Sequence, residues 1–303
     1  MAPLGRPECC RKRAGRAIVL NKVKAVMLCL SLSLLIDAPQ SHAQTFQTSA
    51  PVALVEDVTV GRILMQKDAD RPIAPASMTK IMTAYVIFDL IDQGKMRLEQ
   101  AITISPSVWK RWHGKQGGAT MFLRAGETVS VENLLNGMLA VSGNDATYAL
   151  ASSIPGGLDA FVALMNKAAP SIGLADSYFS SPNGWSDNDT TRTTARDLVL
   201  LARKTIERFP QFYVKFYQQK EFLWGKSPTG QLIRQHNKNP LFGHIDRADG
   251  LKTGFTTNAG YCFTGSATKN NHRIIMVIAG LPSAHARTEE AIRLMQMVLG
   301  TIP

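Results

Sequence analysis

Between Val52 and Gln66 apolar and polar residues alternate on either side of Gly61, a period of two that predicts a hairpin with strands over 52–60 and 62–66. The pattern then lengthens to the helical period. From Met78 to Ile91 the apolar residues Ile81, Met82, Tyr85, Val86, Phe88 and Leu90 read as a well-buried helix, opened by Ser77 after Pro72-Ile73-Ala74-Pro75-Ala76. Further helical patterns fill 131–153, broken at Gly143, then 158–172 and 193–209. Gly260–Ser266 and Arg273–Ala279 predict a second hairpin around a turn at 269–272, and 283–299 closes the chain as a helix. Strands at both ends with helices between them predict an α/β protein of the α+β type. One antiparallel sheet would be made from the two chain ends and flanked by helices, with a helical region inserted in the middle and a cleft between the two.

Composition adds an export reading. At 303 residues and 45% hydrophobic content the chain can bury a sizeable core. Basic residues Arg6, Arg11, Lys12, Arg13, Arg16, Lys22 and Lys24 precede the apolar run Ala25–Ile36, which leads to Ser41-His42-Ala43, a small-residue cleavage pattern. Residues 1–43 therefore read as a secretory signal, 44–50 as a flexible lead, and 51–303 as a single catalytic domain. An uncleaved anchor is the alternative, although the run is short for a membrane span of about 20 residues. Removing 1–43 takes seven basic and two acidic residues from the totals of 34 and 23, so the net charge of +11 falls to +6. An exported cationic chain, in a periplasm or cell envelope, has no nucleic acid to meet. It suits an anionic cell wall or the periphery of a membrane. Only Cys262 remains of four cysteines, which rules out a disulfide framework, and the six histidines show no metal spacing. Neither metal nor cofactor is expected.

Three short motifs carry the chemistry: Ser77-Met78-Thr79-Lys80, Ser142-Gly143-Asn144 and Lys252-Thr253-Gly254. They supply a hydroxyl nucleophile, an amine one turn away that can activate it, a second hydroxyl for proton relay, and a cation beside two small residues. That is a covalent acyl-transfer site. Each motif alone is weak, and the chain contains decoys: Ser107-Val108-Trp109-Lys110 repeats the first, while Ser181-Pro182-Asn183 and Ser186-Asp187-Asn188 repeat the second. Context chooses Ser77, because Ser107 sits in what reads as a basic exposed loop. The wider segment Trp109–Gly118 reads as a solvated basic surface, with a mobile loop at the cleft as the alternative. Gly143 reads as a tight-turn residue aiming Ser142 and Asn144 the same way. A strand edge carrying Lys252, Thr253 and Gly254 leaves room for an extended peptide to lie alongside. Lys80 needs a lowered pKa to accept a proton, and burial with Lys252 as a neighbouring cation would provide it.

With these motifs in place, the chain resembles the serine-type D-alanyl-D-alanine carboxypeptidases, the low-molecular-mass penicillin-binding proteins of the β-lactamase/transpeptidase superfamily. The likeness extends through 74–85, Ser142-Gly143-Asn144-Asp145-Ala146, Thr194-Ala195-Arg196-Asp197-Leu198 and 249–256, and covers about Pro51 to the end. The resemblance implies that Ser77 attacks the carbonyl between two terminal D-alanines with Lys80 as base. Ser142 would then pass a proton to the departing D-alanine, and Asn144 would hold Lys80 and a substrate amide. Lys252, Thr253 and Gly254 would take the terminal carboxylate, and the backbone amides of Ser77 and Phe255 would form the oxyanion hole. Arg287 matches an arginine often found near the family's site and would contribute to it, with an exposed helix arginine as the alternative. The partners implied are peptidoglycan stem peptides ending in D-Ala-D-Ala, with β-lactam antibiotics as covalent inhibitors. Two departures stand out. Asn237-Lys238-Asn239 occupies the place of an Asn-Arg-Asn common in the family, and a catalytic domain without the family's β-rich stalk is expected.

Three rival readings share these residues. A DD-endopeptidase would cut peptidoglycan crosslinks with the same site. A class A β-lactamase would add a deacylating Glu, and Glu132-Asn133-Leu134-Leu135-Asn136 matches its motif in type but precedes Ser142 instead of following it. A wall-binding scaffold would keep the fold without turnover.

Overall fold

The computed structural model describes residues 47–185, 190–227 and 229–302, apart from the side chain at 116. The signal segment assigned to 1–43 lies outside the described residues. The first hairpin is β1 (Val52–Asp57) with β2 (Arg62–Lys67), and the late strands are β7 (Ala248–Thr256), β8 (Gly260–Lys269) and β9 (His272–Leu281). They form one antiparallel five-stranded sheet in the order β2-β1-β9-β8-β7, so the two chain ends meet in its middle, with Val52 opposite Ala279. Asn270 and Asn271 both take positive φ in the β8–β9 connection, the two-residue turn that suits the twist of a hairpin.

Both faces of the sheet are buried, which is why its central strands read as apolar runs as well as alternations. Ile274, Met276 and Ile278 of β9 pack with Leu294, Met295 and Val298 of the closing helix α8 (Ala284–Thr301). Ile275, Val277 and Ala279 face the opposite core, shared with the inserted helices. Among these, α1 (Lys80–Asp92) is buried from Lys80 through Phe88, as expected of a helix apolar all round. The lead read as flexible is tied down over its described part: Thr48 Oγ1 and Ser49 N donate to Glu290 Oε1 at 2.6 and 3.1 Å, and Arg293 donates to the Gln47 carbonyl.

The helical pattern at 131–153 is two helices, α3 (Val131–Ala140) and α4 (Asn144–Ser152), divided at the break read around Gly143. Other elements differ from the sequence reading. The stretch read as a basic loop around Ser107 is a helix, α2 (Pro106–Trp112), started by Pro106 and by Ser105 Oγ accepting from Val108 N. Burial of Val108 and Trp112 decides it. The middle of the chain continues through α5 (Gly157–Ser171), α6 (Ala195–Arg208) and α7 (Pro210–Tyr217). Two small pairs, β3 (Ala101–Thr103) with β4 (Thr128–Ser130) and β5 (Glu221–Lys226) with β6 (Leu232–His236), were not expected; their strands are short or largely exposed and leave little apolar signal.

Candidate active site

Ser77 stands in a 3-10 turn, Ala76–Thr79, that leads into α1 rather than on the α-helix itself. Its neighbours Ala76, Met78 and Thr79 are buried, while Ser77 keeps partial access to solvent. The turn is pressed against the sheet edge. A Cβ on Gly254 would lie 2.7 Å from the Pro75 carbonyl oxygen and 3.3 Å from Ala76 Cβ, so only glycine lets β7 approach this closely. The space won by Gly254 is thus filled by the Ser77 turn.

Lys80, fully buried, is the hub. Its Nζ donates to Ser77 Oγ at 2.9 Å, to Ser142 Oγ at 3.3 Å and to Asn144 Oδ1 at 2.8 Å. Burial, and after it the charge of Lys238, lower its pKa to about 7, with Asp145 opposing. A sizeable fraction of Lys80 is therefore neutral at physiological pH and able to take a hydroxyl proton. Lys238 is a neighbouring cation that the sequence reading did not name, and Lys252, the one it did, lies close enough for its charge and that of Lys80 to repel each other.

Ser142 itself adopts the left-handed conformation, φ +67°, and Gly143 does not, with φ −55°. The conformational role assigned to Gly143 therefore belongs to Ser142. Gly143 is needed instead for proximity, since a Cβ there would lie 2.9 Å from Asp145 Oδ1. Gly143 N donates to the Gly137 carbonyl and Asn144 N to the Ala119 carbonyl, at 2.9 and 2.7 Å, so the turn is held from both sides. Asp145 organises the same loop by accepting from Met121 N and Leu123 N at 3.0 and 3.1 Å. The end of Trp109–Gly118 is consequently not plain solvated surface: the Gly117 carbonyl accepts from Asn144 Nδ2 at 2.9 Å.

Lys252, Thr253 and Gly254 lie on β7, the outer strand of the sheet, with Lys252 opposite Thr264. Lys252 and Thr253 are buried. Burial and the like charges of Lys80, Lys238 and Arg287 lower Lys252 well below the ordinary lysine range. Arg287, near the start of α8, is half-buried rather than an exposed helix arginine, and its Nε has no hydrogen-bond partner among the described residues. Burial and the charge of Arg287 lower Lys238 in turn, although its side chain reaches solvent and its influence is correspondingly screened. No acidic side chain within ion-pair distance accompanies Lys238, Lys252 or Arg287 among the described residues. Such an arrangement of cationic side chains without acidic partners can receive an anion. Phe255 follows Gly254 on β7, its ring stacked on Tyr261 with centroids 4.1 Å apart. Cys262 is buried and pushed up to about 11, a packing thiol.

The rejected match Ser181-Pro182-Asn183 does reach the site. Asn183 is fully buried and its Nδ2 donates to Asn144 Oδ1 at 3.1 Å. Pro, Asn and Gly in succession signal a turn, and a turn gives no sign of which polar side chain faces inward. The second rejected match, at 186–188, lies outside the described residues. Ser107 and Lys110 are exposed on α2, and Glu132 of α3 pairs with Lys215 at 2.8 Å.

Comparison with known proteins follows the same lines. The chain is 37% identical over 260 residues to D-alanyl-D-alanine carboxypeptidase DacA of Haemophilus influenzae, covering 85% of this chain and 62% of that protein. Among solved structures, penicillin binding protein 5 from Haemophilus influenzae superposes with a TM-score of 0.76 at 36% identity, over 83% of this chain and 71% of the other. Penicillin-binding protein D2 from Listeria monocytogenes, in its ampicillin-bound form, gives 0.71 at 27% identity, over 83% and 98%. The chain thus spans somewhat under two thirds of the length of the DacA relative, and its architecture is that of the penicillin-binding proteins. A family model described as D-alanyl-D-alanine carboxypeptidase, Peptidase S11, matches residues 38–283. With the three motifs and the sheet edge arranged as above, the chain belongs to that family of D-alanyl-D-alanine carboxypeptidases.

Proposed function

We propose that the protein is a serine DD-carboxypeptidase that removes the terminal D-alanine from peptidoglycan stem peptides through an acyl-enzyme on Ser77. The observation that carries this reading is the single buried amine shared by Ser77, Ser142 and Asn144, with its pKa lowered to about 7. Neutral Lys80 takes the Ser77 proton as Oγ attacks the carbonyl of the penultimate D-alanine. The backbone amides of Ser77 and Phe255 hold the resulting oxyanion, each such donor being worth about 3 kcal/mol. Collapse breaks the peptide bond, and the leaving D-alanine amine takes its proton from Ser142, which is replenished from Lys80. Water, activated by the same amine, then releases the shortened stem.

The terminal carboxylate lies on Lys252, Thr253 and Arg287, where it offsets the repulsion among the cations and keeps Lys252 charged. A β-lactam places its own carboxylate there and acylates Ser77. The N-terminal segment 1–43 exports the protein to the cell envelope, where a net charge of +6 favours the anionic wall.

The test is incubation of the purified protein with uncrosslinked and crosslinked D-Ala-D-Ala peptides, wild type beside Ser77→Ala, with released D-alanine measured. Ser77-dependent release from the uncrosslinked peptide is the expected result. Cleavage mainly of the crosslink would replace this reading with an endopeptidase, and no turnover of either would leave a scaffold.

A further inference from the structure

We propose that Asn183 is a positioning residue that fixes the Asn144 amide with its oxygen towards Lys80, and so keeps the Lys80 lone pair free to act as base. The inference deepens the acyl-transfer reading and rests on it.

The orientation of both amides follows from the hydrogen-bonding capacity of groups that cannot change role. The Gly117 carbonyl only accepts, so the Asn144 atom 2.9 Å away is Nδ2. Trp185 N only donates, so the Asn183 atom 3.1 Å away is Oδ1. The other end of Asn183 is then Nδ2, which donates at 3.1 Å to Asn144 Oδ1, the oxygen that also accepts from Lys80. Two fixed backbone groups, one at each end, thereby set a chain of two buried amides, and both asparagines are almost wholly excluded from solvent.

The consequence lies in the proton count at Lys80. A neutral amine has two N–H groups and one lone pair. Facing Asn144 Oδ1, it must spend one N–H there. One N–H and the lone pair remain for Ser77 and Ser142, which is the combination needed to accept from one hydroxyl while donating to the other. With Asn144 turned over, its Nδ2 would donate into the lone pair, and both N–H groups would be left for the two hydroxyls. No base would remain. In the ammonium form three N–H groups meet three acceptors, so the observed orientation also favours protonated Lys80 relative to the turned-over one.

The test is the rate of Ser77 acylation by a penicillin across pH, read as a mass increment on the intact protein. Wild type, Asn183→Ala, Asn183→Asp, Asn144→Ala and the double variant Asn144→Ala/Asn183→Ala would be compared, each with its Tm. Asn183→Ala is expected to acylate on the order of tenfold to a hundredfold more slowly, with the pH midpoint of the rate moved down. Asn183→Asp, nearly the same size, is expected to be slow with the midpoint moved up, because a carboxylate now lies beside Asn144 and favours protonated Lys80. It also carries the test should the alanine variant not fold. If Asn183 acts through Asn144, the double variant is no slower than Asn144→Ala alone. Folded Asn183 variants with the wild-type rate and midpoint, or losses that multiply in the double variant, would overturn the proposal. Failure of wild type to be labelled would instead overturn the acyl-transfer reading beneath it.

Discussion

Gly184 and Ala76 meet with no room for a side chain between them. A Cβ on Gly184 would overlap the Ala76 carbonyl oxygen and the Thr79 hydroxyl, and Gly184 holds φ at +65°, where a side chain is strained in any case. The turn bearing Ser77 is thus clamped between a loop glycine on one side and Gly254 of the sheet on the other. Gly184→Ala is expected to cost at least about 2 kcal/mol, from overpacking together with the left-handed backbone. Calorimetry should show the lowered Tm, and acylation of the folded fraction should also slow, because the turn moves with Ser77 on it.

The pH dependence follows from Lys80. Its pKa of about 7 predicts that acylation rises through pH 7 to a plateau, and that each unit below costs close to tenfold. A rate that is flat between pH 5 and 8 would remove Lys80 as the base.

The same shift is a cost to stability. Between about pH 7 and 10.5 the unfolded chain holds the Lys80 proton and the folded one does not, so this group makes stability rise with pH over that window and contributes a constant cost below it. Lys80→Met abolishes acylation and is expected to raise the Tm below pH 7. The advantage should shrink as pH increases above 7, which parallel thermal scans at pH 6 and 9 would check.

Lys238 sets part of the Lys80 value from a position that reaches solvent. Lys238→Met is expected to move the midpoint of the acylation rate to higher pH by a modest amount, and Lys238→Arg to leave it in place, because the charge is kept. Raised salt should have a similar but smaller effect, since this charge is screened.

Glu132 answers the β-lactamase question. It is paired with Lys215 at 2.8 Å in a partly exposed ion pair, so Glu132→Gln is expected to leave both acylation and release of the acyl group unchanged. Stability should change by less than about 1 kcal/mol. Slowed release in this variant would assign Glu132 a deacylating role.

What could be read in advance was whatever local order determines. The period-two runs at 52–66 and 260–279 and the helical runs from Met78 onward predicted a sheet from both chain ends around inserted helices, and the motif spacing brought Ser77, Lys80, Ser142, Asn144 and Lys252 together as candidates. What escaped were contacts between segments far apart in the chain. Asn183 looks like any turn asparagine until the fold brings Asn144 against it, and Lys238 acts on Lys80 through space. The conformation of Ser142 was likewise hidden, because the residue that carries a left-handed φ normally looks like glycine, and glycine stood next to it.

The order of the sheet also governs when this protein can become active. Val52 and Ala279, paired across the centre, are separated by 227 positions, and β9 is what joins the β1–β2 hairpin to β8 and β7. A chain stopped before residue 272 would contain every motif residue, yet the strand carrying Lys252 would have no β9 through which to join the amino-terminal hairpin. Such long-range closure is slow and comes late in folding. Activity therefore reports completion of the chain, and an unfinished copy would hold all three motifs in its sequence without the sheet that brings them together.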